Sequence, residues 1–332
     1  MTAFRNWLLP LTPLYQLGLT LRERRLASGR EPIRRLRLPV VSIGNLSTGG
    51  AGKTPLAIAL AQALTRRGIA VDILSRGYGR QSRLPARVLA DGAASDFGDE
   101  PLLIARSTGV PVYVAPQRYD AGLLAESETQ PNSLQIHLLD DGFQHRQLHR
   151  DIDILLLNRD DWHDRLLPAG NLREPLQTAH RASVLAIPAD DPEFAAELRA
   201  WGWQRPIWLI RRVMEVPSAT TPIAAFCGIA RPGQFFTGLE AAGLRLATRT
   251  AFPDHHRYTV RDIECLLAAA RAAQATVLVT TEKDFVRLGP LVSSFPPSLR
   301  LTTAKLRLEI DQESTAIDWL LDVLKARQGK RI

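Results

Sequence analysis

The stretch PVVSIGNLSTGGAGKTPLAIALAQAL, residues 39–64, sets an apolar run, a glycine-rich loop and a helix-patterned segment in direct succession. Residues 39–44 read as a strand, and 53–67 repeat leucine and alanine at helical spacing. GGAGKT at 49–54, between them, has the form of a phosphate loop. Its glycines let backbone N–H groups converge on phosphate oxygens, and the helix that follows adds a favourable dipole. Ser47, Thr48, Gly49, Gly50, Ala51 and Gly52 would form the cradle. Lys53 would reach the outer phosphates, and the Thr54 hydroxyl is placed to ligate Mg²⁺. One departure stands out: the pattern G-x-x-x-x-G-K-T asks for glycine at 47, where this chain has Ser47. Lysine is scarce, five against 37 arginines, so a lysine at 53 stands out from the background.

Outward from this unit, short apolar runs alternate with helical segments, the signal of a parallel sheet. Strands are expected at 70–75, 86–90, 111–115, 135–140, 152–157 and 183–188, and helices at 99–108, 117–128 and 191–201. The fold class is therefore α/β, a P-loop α/β/α sandwich. Residues 206–214 look like an extended exit, followed by a Ser/Thr/Pro-rich linker at 217–222. A second alternation then begins: strands at 223–228, 244–250, 276–281 and 299–308, helices at 232–242 and 259–273, and a closing helix at 313–327. This divides the chain into an N-terminal helical segment (1–37), a P-loop domain (38–215), a smaller α/β/α domain (216–304) and a terminal strand and helix (305–332). A phosphate loop needs a partner strand ending in a carboxylate. QIHLLDDGFQHR (135–146) offers Asp140 and Asp141 at the ligand-binding edge of a parallel sheet, either as Mg²⁺ ligands or as an Asp-Gly turn.

Composition narrows the class further. At 332 residues, 45% hydrophobic and 23% charged, the chain is that of a folded protein with a sizeable core. Two cysteines, Cys227 and Cys265, exclude a disulfide framework and a thiolate zinc site. The net charge of +8 points to a polyanion until it is located: residues 1–37 hold eight arginines and two acids, leaving +2 for the rest. That distribution argues against nucleic acid. The sixteen uncharged residues between Arg5 and Arg22 would span about 24 Å as a helix, short of a hydrocarbon core, and Pro10 and Pro13 interrupt them. Nor does a small-residue cleavage site follow. Trp7, Leu11, Leu14, Gly18 and Leu21 form one stripe, suited either to an anionic membrane surface or to the protein's own core.

A guanine-nucleotide switch would carry N/T-K-x-D late in the first domain; the nearest run, TEKD at 281–284, has the wrong order and place. That leaves transfer from ATP, with a partner-binding nucleotide switch as the alternative. The motifs GNLSTGGAGKTP, SRGYGR (75–80), GDEP (98–101), DDGFQH (140–145), LLPAGNLREP (166–175), FPDHH (252–256) and TTEKD (280–284) fall in one order. Together they resemble the tetraacyldisaccharide 4′-kinase family of lipid A biosynthesis, from about residue 5 to 290. That family also tends to carry Ser or Thr where Ser47 sits. The resemblance implies two α/β/α sandwiches joined by a two-stranded linker, with a cleft between them. It implies a kinase on the cytoplasmic face of a Gram-negative inner membrane, transferring the γ-phosphoryl of ATP to the 4′-hydroxyl of a tetraacyldisaccharide 1-phosphate. The partners are then this glycolipid and the membrane surface, with no nucleic acid, the chain acting as a monomer.

The resemblance also places Asp99 as catalytic base, where the residues alone equally suggest a helix cap, and pairs it with a histidine of FPDHH, His255 in preference to His256. Glu100 is either a further metal ligand or a first-turn acid. Arg173 is either a stabiliser of phosphate charge or a solvated arginine. Arg76, Tyr78 and His256 are candidates to shape the substrate pocket. Lys283 and Asp284 are either functional or an ion pair with each other, and His145 and His149 are equally structural or functional.

Overall fold

The computed structural model describes residues 6–129, 135–218 and 222–328. Arg5, the middle of the 217–222 linker and the last four residues lie outside these. The first half of the chain supplies seven strands: β1 (Val40–Asn45), β2 (Ala70–Ser75), β3 (Ala86–Arg87), β4 (Val112–Val114), β5 (Gln135–Asp140), β6 (Ile152–Leu156) and β7 (Val184–Pro188). They lie in the order β7-β6-β1-β5-β2-β4-β3, and only β3 pairs antiparallel. β1 is buried along its whole length, as a central strand covered by helices on both faces must be.

β8 (Ile207–Glu215) leaves this half, pairing parallel to β7 through Ile207–Ile210. β9 (Ile223–Cys227), β10 (Leu246–Ala251) and β11 (Val277–Thr281) form the far end of the sheet. β12 (Arg300–Ile310) belongs to both halves: Arg300–Ala304 run parallel to β11, and Lys305–Ile310 run antiparallel to β8. The exit at 206–214 and the return near 305–310 are thus adjacent strands, and the described residues make one twelve-stranded sheet, β10-β9-β11-β12-β8-β7-β6-β1-β5-β2-β4-β3.

The main core packs the helices Lys53–Arg66, Asp99–Thr108 and Glu313–Gln328 on one face of the first half, through Leu56, Leu60, Leu102, Ile317 and Leu320. Each such side chain contributes roughly 1.5–3 kcal/mol by leaving water. The last helix therefore closes back on the first half, tied by Arg66–Glu313 and Arg67–Asp318.

Two expected strands are shorter than their apolar runs. Residues 86–90 supply only β3, because the chain turns at Leu89–Gly92, with Gly92 N–H donating to Leu89 O at 3.0 Å. Residues 111–115 supply only β4. A helix not foreseen, Glu282–Leu288, follows β11, capped by the Thr281 hydroxyl, which accepts from Asp284 N–H at 3.0 Å.

At the N-terminus a 3₁₀ turn (Asn6–Leu11) contains Pro10 and runs into a helix, Thr12–Ala27, with Pro13 in its first turn. No helix among the described residues is long and apolar enough to cross a membrane. The helix docks through polar contacts: Tyr15 Oη donates to Arg173 O at 2.9 Å, Arg22 donates to Gln144 O at 2.5 Å, and Glu23 pairs with Arg146 and Arg181. Only Leu26 of this helix is buried. Trp7, Leu9, Leu11, Leu14, Leu17 and Leu21 stay exposed.

Candidate active site

β1 and β5 are neighbours in register Ile43↔Asp140, so the glycine-rich loop and the Asp140–Asp141 pair emerge side by side at the carboxyl edge of the sheet. In the loop Gly49, Gly50 and Gly52 hold φ of +76°, +59° and +94°, a region costly for any residue with a Cβ. Gly52 then caps the helix that opens with Lys53.

Asn45, the last residue of β1, organises the loop. Its Oδ1 accepts from Lys53 Nζ at 2.9 Å and from Arg173 Nη2 at 2.5 Å, and its Nδ2 donates to Ser47 Oγ at 3.1 Å. Ser47 is fully buried. The departure from glycine at 47 is therefore a hydrogen-bonded position that fixes the start of the loop. Thr48 N–H donates to Asn171 O at 2.8 Å, pinning the loop to the NLREP segment.

Lys53 Nζ lies 3.5 Å from Asp141, and Arg173 forks onto the same carboxylate at 3.0 and 3.2 Å. Burial opposes ionisation of Asp141, but Lys53 and Arg173 more than offset it and hold the carboxyl well below the usual range. Asp140 behaves oppositely. It is buried, its Oδ1 has no hydrogen-bond partner among the described residues, and burial, Glu100 and Asp141 raise its pKa. An orphaned carboxylate oxygen near two further acids fits a divalent cation, with the buried Thr54 in the first turn of the helix that follows the loop. No three His, Cys, Asp or Glu side chains among the described residues form a ready cage, so such an ion would draw its other ligands from phosphate and water, as Mg²⁺ commonly does.

Asp99 is the first residue of its helix, one position after the cap Gly98, so its side chain is not a helix cap. Its Oδ1 accepts from the Glu100 N–H at 2.9 Å. Its Oδ2 lies 3.1 Å from His255 Nδ1 and accepts from Arg287 Nε at 2.6 Å. Burial raises the Asp99 pKa, but hydrogen bonds and charge from His255 and Arg287 bring it well below the usual range. The bond to Asp99 in turn raises the pKa of His255. His255 sits at φ +57°, its N–H held by Gly228 O and Asp254.

Lys283 and Asp284 do not pair with each other. Lys283 reaches across to Glu100, while Asp284 is bound by Arg287 at 2.9 Å, Tyr258 Oη at 2.9 Å and Gly228 N–H at 3.0 Å. His256 is turned to Asp262 at 3.1 Å and stacks on Phe252, so it packs within its own loop instead of joining Asp99. The exposed Tyr78 stands 5.2 Å, centroid to centroid, from the His255 ring, and Arg76 is exposed beside it. His145 is pushed down to about 3 by burial and nearby arginines, which keeps it neutral.

Three residues at the site escaped the sequence reading. Asn45 has no role there beyond its place in the motif GNLSTGGAGKTP, just past the strand read at 39–44. Arg118 follows β4 at the same sheet edge and is buried, its charge within reach of Asp140 and Asp141. Arg287 lies on the unforeseen helix, whose start is announced by Thr281 and Asp284 at capping spacing.

Fold and site together define a mixed α/β protein of the phosphate-loop class, with a carboxylate pair beside the loop and an acid–histidine pair at the same edge. A family model, LpxK: Tetraacyldisaccharide-1-P 4′-kinase, matches residues 4–325, and the chain belongs to this family. It is 40% identical over 331 residues to the tetraacyldisaccharide 4′-kinase of Koribacter versatilis (strain Ellin345), covering 96% of this chain and 99% of that one. It is likewise 40% identical over 293 residues to the enzyme of the same name from Anaeromyxobacter dehalogenans (strain 2CP-C), covering 80% and 76%. A crystal structure of LpxK from Aquifex aeolicus in complex with ATP superimposes with a TM-score of 0.75 at 31% identity, over 97% of this chain and 99% of that one.

Proposed function

We propose that this protein is an ATP-dependent kinase that phosphorylates the 4′-hydroxyl of a tetraacyldisaccharide 1-phosphate, giving lipid IVA. The observation that carries the reading is the convergence of Lys53, the Asp140–Asp141 pair and the Asp99–His255 pair at one sheet edge, in a chain of this family. Phosphoryl transfer is mostly positioning and charge stabilisation. The loop 47–54 holds the triphosphate, with Lys53 on its outer oxygens. Asp99 is held ionised by His255 and Arg287, so it can orient the acceptor hydroxyl and take its proton as the O–P bond forms. The bond from the γ-phosphorus to ADP breaks in the same displacement. Arg173, braced on Asp141, supplies positive charge beside the transferring group. Asp140, with Asp141, Glu100 and Thr54, would hold Mg²⁺, which when bound neutralises charge on the phosphates. Arg76 and Tyr78 line the acceptor's approach.

The division into segments 1–37, 38–215, 216–304 and 305–332 belongs to the same proposal, with the cleft between the two α/β units as the site. The exposed apolar stripe Trp7–Leu21, beside the arginines, would rest on the anionic cytoplasmic face of the inner membrane and bring a monomeric enzyme to its lipid. Purified protein with ATP, Mg²⁺ and the disaccharide acceptor in detergent should yield phosphorylated lipid and ADP in equal amounts. ATP binding without lipid-dependent turnover would refute the kinase reading and favour a nucleotide switch.

A further inference from the structure

Beside the phosphate loop, on the side away from Asp141, lies a cavity of about 380 Å³. Ala51, the strand ends Leu156–Asn158 and Ala186–Pro188, and the guanidinium groups of Arg212 and Arg231 line it. Arg212 comes from β8 and Arg231 from the turn that opens the helix Pro232–Ala241. Both touch the loop. A Cβ at Gly50 would lie 3.1–3.4 Å from the Arg231 side chain, and one at Gly52 would lie 3.5 Å from Arg212 Nη2. Arg212 Nη2 donates to Ala51 O at 3.1 Å.

Their counter-ions are poor. Among the described residues Arg212 has no carboxylate within ion-pair distance. Arg231 has Asp160 at 3.9 Å and Asp161 at 4.0 Å, both beyond hydrogen-bond reach. Asp161 is itself buried, with Oδ2 unpartnered. Arg231 is partly buried and Arg212 lies exposed beside it, so two neighbouring like charges with no hydrogen-bonded acid repel each other until an anion joins them. The backbone N–H groups of a glycine-rich loop ask for the same kind of ligand.

We infer that Arg212 and Arg231 form a second phosphate contact, across the loop from Lys53, that takes the diphosphate part of a nucleotide, and that Asp160 and Asp161 hold Arg231 when no nucleotide is there. This rests on the reading of the loop as an ATP site. A planar fork suits phosphate oxygens. Because Arg231 belongs to the far half of the sheet, its exchange of aspartate for phosphate ties that half to the bound nucleotide.

The test is calorimetric binding of ATP and of inorganic tripolyphosphate to the full chain. Arg231→Gln and Arg212→Gln should each weaken both ligands by roughly 10- to 100-fold, the loss of a charge-assisted hydrogen bond. Arg231→Lys should lie between wild type and Arg231→Gln. Asp160 is 83% exposed, so Asp160→Asn leaves the fold in place, and by removing the competing acid it should tighten ATP by about two- to fivefold. Unchanged ATP and tripolyphosphate affinity in the two glutamine variants, alongside a large loss in Lys53→Ala, would overturn the arginine contact and leave the kinase reading intact. Weaker ATP binding in Asp160→Asn would also overturn it. A wild-type protein that binds no ATP would instead bring down the underlying reading and the inference with it.

Discussion

His137 is the group whose removal has the most calculable effect. It lies on β5 opposite Asp72 of β2 and is fully buried, as is Asp72. Its Nδ1 is 2.7 Å from Asp72 Oδ1, and its Nε2 is 3.6 Å from Glu126. Burial disfavours the imidazolium, but the charge of Asp72, its hydrogen bond to the ring and the nearby Glu126 carboxylate outweigh it and raise the pKa to about 9. The unfolded value is near 6.5. A group whose folded pKa is raised stabilises the fold fully below its unfolded value and stops doing so as pH rises through its folded one. From about 6.5 to about 9 the contribution to be lost is roughly 3 kcal/mol, at 1.36 kcal/mol for each tenfold step in proton affinity. His137→Gln should therefore cost most at pH 6, and the gap between wild type and variant should narrow by about that amount by pH 9.5. Denaturant unfolding of both proteins at pH 6, 7.5 and 9.5 gives the gap. Histidine ring NMR should show the His137 ring titrating near 9. The pair Asp72→Asn with His137→Gln should recover most of the loss, because no buried charge is then left alone. A gap that stays constant with pH, or a ring that titrates near 6.5, would refute the reasoning.

Arg287→Gln strips a buried guanidinium from Asp99 and Asp284 together, so it should cost roughly 3–5 kcal/mol in unfolding. It should also lower kcat while leaving the KM for ATP near wild type, and a melting temperature within 2 °C of wild type would contradict it. Asp99→Ala should reduce kcat by about 100-fold or more with ATP affinity nearly unchanged, read by lipid phosphorylation and calorimetry; turnover within a few-fold of wild type would remove Asp99 as the base. Leu14→Glu together with Leu21→Glu should cut binding to vesicles of anionic phospholipid at least roughly tenfold in a co-sedimentation assay, with detergent-phase activity retained. Equal partitioning would show that the exposed stripe does not meet the membrane.

Local signals carried far in this chain. The glycines at 49, 50 and 52 announce a loop that needs left-handed backbone, and the unbroken apolar runs announce strands covered on both faces. What stayed hidden depends on partners far apart in sequence. Nothing near Asn45 says that its amide holds Lys53, Arg173 and Ser47 together, since Arg173 is 128 positions away. The length of β3 was unreadable because an apolar run at a sheet edge continues as a strand only while its neighbour lasts. In TTEKD, Lys283 and Asp284 read equally as functional residues or as an ion pair with each other. The capping spacing of Thr281 and Asp284 was the available clue that a helix starts there, which turns Lys283 toward Glu100 and brings Arg287 to Asp99.

The distribution of these partners has a consequence for the proposed chemistry. Asp99 and Glu100 start a helix of the first half, but every side chain bound to the Asp99 carboxylate, and the lysine on Glu100, comes from the far half: His255, Arg287 and Lys283. Asp99 is buried, and without those cations its burial alone would favour the protonated acid. The same closeness that excludes water is therefore what keeps the acid ionised. Arg287 is braced in turn by Asp284 and Gly228 O, so the cation is positioned by its own half before it meets Asp99. Separating the halves by even a few ångströms would break both bonds to Oδ2 and leave a solvated carboxylate that His255 and Arg287 no longer position. If Asp99 is the base, as proposed, it is fixed in position only when the two halves are together.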